Sequence, residues 1–234
     1  WARRFAGAGA YPDAVRVLDT AESKLGGADF ALDRIELAAE FGPLDEALEL
    51  FANNPQPSQR TNRARLIFDA RPLESDTDQN ARFKRIDPDV SNADDPYALI
   101  LRVLAGADNG EAETLLAEAE RLAPDDALVL DRLRAIHESN ARYDTALSYA
   151  ERASAADPAN DRLRFTLGRL QAMNGLTAQA ELTLRDVLTR APSNNAARQL
   201  LVHTLLDAGR VDAAEAALAA LPERARPDAW RSSV

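Results

Sequence analysis

Apolar positions along this chain recur on two length scales. Locally they follow the helical period: Ala180, Leu184 and Val187 fall at i, i+4 and i+7, one face of an α-helix. Over a longer range they form columns. Ala112, Ala146, Ala180 and Ala214 are each 34 residues apart. Seven positions after them stand Ala119, Ala153, Val187 and Leu221, and thirteen before them stand Leu99, Leu133, Leu167 and Leu201. Pro124, Pro158 and Pro192 keep the same 34-residue spacing, with Pro227 following 35 later. Independent columns sharing one period define a structural repeat.

One copy shows what the repeat builds. The spacing predicts a helix over Asp161–Met173, with Phe165, Leu167 and Leu170 apolar. Asn174-Gly175 ends it, because both residues tolerate a left-handed backbone. A second helix is predicted over Thr177–Arg190, and Pro192 stops it. The alanine column marks a close helix–helix crossing, where a larger side chain would push the backbones apart. The unit is therefore a helix–turn–helix.

The same signals weaken towards the N-terminus. Gly9, Ala14, Leu18 and Ala21 match the second half of a unit whose first helix is cut short at Trp1. Gly42, Ala47 and Phe51 match another, over 28–61. Residues 62–92 read as a degenerate unit, with Phe68 in the leucine column, Ala81 in the alanine column and a long polar turn over Pro72–Asp78. This gives three segments: N-terminal repeats over 1–61, an Arg-rich degenerate repeat over 62–92, and four regular repeats with a tail over 93–234. The total is about seven units, above the three or so a stack needs. A truncated first helix places Trp1 and Phe5 at an uncovered end, which leads us to expect a further segment or a cap there.

With its 34-residue period, the Leu167-Gly168 pair, Ala180 and the terminal Pro192, the pattern resembles the tetratricopeptide repeat family. It departs from the family where Ile100, Arg134 and Val202 replace the Gly, and His137 and Gln171 the aromatic. The resemblance implies an all-α, right-handed α-solenoid of stacked helix pairs, with the first helices lining a concave face that holds a peptide or helix of a partner protein. In the family register, inward positions give Asp94, Tyr97, Leu101 and Leu104; Leu128, Asp131, Ala135 and Glu138; Arg162, Phe165, Arg169 and Ala172; and Ala196, Gln199, His203 and Leu206. From these, Tyr97, Leu101, Asp131, Glu138, Arg162, Phe165, Arg169, Gln199 and His203 are the candidate groove residues. The set of Lys, Arg and Asn with which some relatives grip an acidic C-terminus is not found.

Composition narrows the function classes. Aromatics are 6% of the chain and Ala is abundant, which suits helices packed through small side chains. A net charge of -10 disfavours nucleic acid and anionic lipid as partners. The absence of Cys excludes thiolate chemistry and disulfides. No run of 18 apolar residues spans a bilayer.

Two local features stand out against this background. Residues 58–86 hold seven basic residues against four acidic ones, whereas 1–57 hold five against ten. This island, with Arg60, Arg63, Arg65, Arg82 and Arg85, is a candidate dock for an acidic partner; the alternative is internal pairing with acidic helices. Asp76, Asp78, Asn80 and Asp87 are spaced like part of a calcium loop, but Ala81 replaces the turn Gly, so no metal site is expected. His137 and His203 are the only histidines, about two units apart, and no phosphate loop or nucleophile motif is present. We therefore expect a non-enzymatic scaffold or adaptor with no cofactor. The alternatives are a regulatory arm of a longer enzyme and a structural subunit of a larger complex.

Overall fold

The computed structural model describes residues 2–7, 9–25, 30–53, 58–71 and 94–220. Trp1, the side chain of Phe5, Arg82, Lys84, Arg85, the Asp76–Asp87 loop with Ala81, Leu221 and Pro227 lie outside the described residues. Every element within them is helical. In chain order these are α1 (Ala2–Gly7), α2 (Tyr11–Leu25), α3 (Ala31–Phe41), α4 (Leu44–Asn53), α5 (Gln59–Asp69), α6 (Pro96–Leu104), α7 (Asn109–Leu122), α8 (Ala127–Ser139), α9 (Tyr143–Ala156), α10 (Asp161–Met173), α11 (Thr177–Arg190), α12 (Asn195–Asp207) and α13 (Val211–Ala219). The two helices expected of the third regular copy appear as α10 and α11, with the expected ends. The chain divides into two compact units, Trp1–Pro124 and Asp125–Val234. The division falls between the first and second regular repeats.

Three signals written at the 34-residue period fix the hairpins of the second unit. The first is the N-cap. Asp126, Asn160 and Asn194 each accept a hydrogen bond from the backbone N–H three residues on, at Val129, Leu163 and Ala197. The second is the turn. Ala141, Gly175 and Gly209 all hold a left-handed backbone, with φ of 57°, 72° and 69°. The amides that follow, on Arg142, Leu176 and Arg210, reach back to the carbonyls of His137, Gln171 and Leu205 and close the helix end. The third is the crossing itself. Ala146, Ala180 and Ala214 are buried. At Gly168 an added Cβ would stand 3.0 Å from the Leu184 side chain, so a larger residue there would press α10 away from α11.

Apolar side chains then join each hairpin to the next. Leu184 and Val187 of α11, Leu201 and Leu205 of α12 and Ala214 of α13 form one cluster. Leu130 of α8, Ala153 of α9 and Leu163 of α10 form another. Each cluster draws on three consecutive helices, which is how a stack of units that cannot bury their own faces becomes a continuous core. Each unit thus has the architecture of an α-solenoid.

The N-terminal unit follows the same rule with larger side chains. Ala14 and Ala47, in the alanine column, are buried. Phe68 of α5, in the leucine column of the degenerate repeat, is fully buried and meets Phe51 of α4 edge-on, with ring centroids 5.7 Å apart. Asp95 caps α6 through the Tyr97 amide and accepts a 2.7 Å hydrogen bond from the Asn62 side chain, so α5 and α6 are joined by a buried polar pair.

Candidate protein-interaction surface

In the second unit, the first helices of two successive repeats carry charge on their predicted inner face. On α8 the charged side chains are Asp131 and Glu138, seven apart, with Arg134 beside them; on α10 they are Arg162 and Arg169, also seven apart, with Phe165 between. Stacking brings the two rows together. Arg162 Nη2 donates to Asp131 Oδ2 at 2.8 Å, and Arg169 donates to Glu138 at 2.7 and 2.9 Å. Between them, Arg134 donates to Asp131 at 2.9 Å and to Glu138 at 2.6 Å. The result is a continuous chain, Arg162–Asp131–Arg134–Glu138–Arg169, in which three guanidinium groups share two carboxylates.

Burial grades along this chain. The Asp131 side chain is 1% exposed and that of Arg134 11%, while Arg169 is 31% and Arg162 50% exposed. Burial alone pushes the Asp131 carboxyl up, but Arg134, Arg162 and Arg132 together hold it below the usual carboxylate range. Glu138 is held down first by its hydrogen bond from Arg169 and then by the charges of Arg169 and Arg134. Both acids are therefore ionised, and the charge that faces water is that of Arg162 and Arg169.

The other candidate residues fall into separate settings. Phe165 is half-buried against the α11–α12 core, Gln199 is half-buried on α12, and His203 is exposed on the same helix. Tyr97 and Leu101 belong to α6 of the first unit and are buried there. Four of the nine candidates, Asp131, Glu138, Arg162 and Arg169, thus meet in one network. Arg134, its central member, lies outside the inner register read from the sequence. A signal for it was present, because Asp131, Arg134 and Glu138 are spaced for i, i+3 and i, i+4 pairing on one helix.

The Arg-rich island of the first unit is arranged differently. Arg60 on α5 donates to Glu36 at 2.9 Å and to Asp33 at 3.0 Å, both on α3, and these bonds raise its pKa. Arg65 is buried, with its guanidinium 5.8 Å from the centre of the Phe51 ring. Arg71 lies at the same distance over Phe68 and donates to the Ala38 carbonyl. Arg63 is half-buried on α5. Among the described residues no group of three His, Asp or Glu side chains is placed to hold a metal ion, and no helix is long and apolar enough to cross a membrane.

The repeat geometry can now be set beside known proteins. A tetratricopeptide repeat family model matches residues 139–192 and 177–232, the segment in which the caps, turns and alanine column recur most regularly. Residues 139–232 are thus tetratricopeptide repeats. The family match covers α9 to α13 of the second unit. Among solved structures, MamA AMB-1 is 17% identical with a TM-score of 0.50, covering 82% of this chain and 94% of that one. A point mutant of MamA is 18% identical at the same TM-score, covering 88% and 93%. A human IFIT1 dimer with PPP-AAAA is 16% identical with a TM-score of 0.54, covering 93% of this chain but 58% of its own. At these identities the likeness concerns the fold alone. No curated protein matches the sequence. Tetratricopeptide repeat arrays are protein-interaction scaffolds, and their stacked hairpins present an extended surface to protein or peptide partners.

Proposed function

We propose that this protein is a scaffold or adaptor, without enzymatic activity of its own, that holds an extended or helical segment of a partner protein along the first helices of its repeats. The observation that carries this reading is the Arg162–Asp131–Arg134–Glu138–Arg169 network. It leaves a local excess of positive charge on the inner face of α8 and α10, in a chain whose net charge is -10. Half-buried Phe165 lies on the α10 face that carries Arg162 and Arg169. An aromatic anchor flanked by guanidinium groups suits a segment with one apolar side chain and a nearby carboxylate. Most of the chain's surface repels such a segment, so the strip would also set the register of docking. The same net charge disfavours nucleic acid as the general partner.

The test uses Arg162, because its half-exposed side chain can be reversed while Arg134 still neutralises Asp131. Proteins captured by the purified chain are compared with those captured by Arg162→Glu and by Arg162→Ala, with thermal melts as the folding control. The expected result is loss of the specific partner with Arg162→Glu and partial loss with Arg162→Ala. Identical recovery from all three folded proteins would sink the assignment of the binding surface to this strip.

A further inference from the structure

A second surface in the Asp125–Val234 unit is built from other parts of the repeats. The second helices of the last two repeats, α11 and α13, stand on either side of α12 and leave an open groove of about 580 Å³. One wall is Ala213, Ala216 and Ala217 of α13 with Ala220 just beyond its end. The other wall is Leu188 and Thr189 of α11, and Leu201 of α12 lies at the floor. Small residues along α13 give the groove its depth, and its volume lies within the range of binding clefts.

The polar groups of this groove are cationic. Arg185 and Arg198 line it and, among the described residues, no carboxylate does; Arg185 donates to Glu181 at 3.1 Å, outside the lining. Arg198, on α12, gives Nη2 to the Pro192 carbonyl at 2.7 Å. It has no carboxylate partner among the described residues, and its Nε is buried without an acceptor. Because the Arg198 guanidinium lines the groove with its charge met only by a carbonyl, an incoming carboxylate would gain a charge-assisted hydrogen bond there.

We propose that the α11–α13 groove is a second docking site, for an amphipathic helix of a partner protein that presents small aliphatic side chains to the alanine wall and a carboxylate to Arg198. Two properties select this occupant. The small-residue wall leaves room for Ala and Leu side chains, and a lining that holds Arg185 and Arg198 but no carboxylate calls for negative charge. The site is distinct from the inner face of α8 and α10, so one scaffold would hold two partner segments on separate faces.

A fluorescein-labelled helical peptide of Ala, Leu and Glu, and its counterpart with every Glu replaced by Gln, serve as probes in anisotropy titrations with the full chain. The acidic peptide is expected to bind saturably and the Gln peptide at least about tenfold more weakly, as expected when a hydrogen bond to a charged group is lost. Arg198→Gln should weaken the acidic peptide to a similar degree. Ala217→Arg should abolish binding, and Ala216→Arg, at an exposed position, does the same test if Ala217→Arg fails to fold. Arg169→Glu should leave this binding intact, which separates the groove from the inner face. Equal affinity for the two peptides, indifference to both alanine substitutions, or no binding at all would overturn the proposal. Binding that emerges only after residues 221–234 are deleted would overturn it too, by showing the chain's own tail to be the occupant.

Discussion

Two arginine clusters of this protein show opposite stoichiometry. On α8 and α10, three guanidinium groups share two carboxylates, and one of those carboxylates, Asp131, is almost wholly buried. On α5, a single guanidinium, Arg60, is held by two carboxylates of α3, all three partly open to solvent. In sequence the ranking looks reversed: residues 58–86 are visibly basic, and 125–173 are not. What a partner meets is set by the pairing that remains after folding, not by the local count of Lys and Arg. The buried cluster leaves cation at its edges, whereas the sequence-obvious one has Arg60 satisfied and Arg65 laid on a phenyl ring.

The comparison breaks most sharply at Asp131. Replacing it with Ala removes the shared acceptor of Arg134 and Arg162 and leaves Arg134, 11% exposed, with Glu138 alone. Losing one partner of a buried ion pair costs about 3–5 kcal/mol. Urea denaturation of Asp131→Ala should therefore show a large fall in midpoint. A change under about 1 kcal/mol would mean that Arg134 relaxes to water and the network is not structural.

Much of the architecture was legible beforehand because it is written redundantly. The alanine, leucine and proline columns all carry one period, so no single departure hides it. Position 141 makes the point: an Ala stands where the next two copies have Gly175 and Gly209, yet its φ is 57° and the turn is kept. The network was legible only in part. Asp131 and Glu138 are seven apart, Arg162 and Arg169 are seven apart, and each carboxylate precedes its arginine by 31 residues, one repeat less about one helical turn. That register follows once the stack is assumed. The depth of Asp131 and the central role of Arg134 do not, because burial depends on how closely α8 and α10 approach. The groove between α11 and α13 was not legible at all, since it arises from what small residues leave empty.

Acid sharpens the same contrast, with a smaller effect. The folded-state pKa values of Asp131 and Glu138 lie below their ordinary values, so their contribution is fully present above the ordinary carboxylate range near pH 4. It is lost as pH falls through the depressed folded values. Stability measured from about pH 6 downward should decline on this limb, and Asp131→Asn should flatten it while lowering the plateau at neutral pH. An acid limb that is the same in both proteins would show that Asp131 does not carry the dependence.

The smallest effect is expected at Arg60, and its size decides whether the two clusters differ in kind. Arg60 is 49% exposed and Asp33 43%, so their attraction is screened by water and by salt. Exposed pairs contribute roughly 0–1 kcal/mol, and Arg60→Ala should fall in that range, shrinking further in about 0.5 M salt. Asp131→Ala should keep most of its effect in the same salt, because Asp131 and Arg134 lie where counterions do not reach. If Arg60→Ala matched Asp131→Ala in size and in salt resistance, exposure would not be what separates the clusters. The cationic excess at Arg162 and Arg169 would then lose its claim to be the distinguishing feature of the second unit.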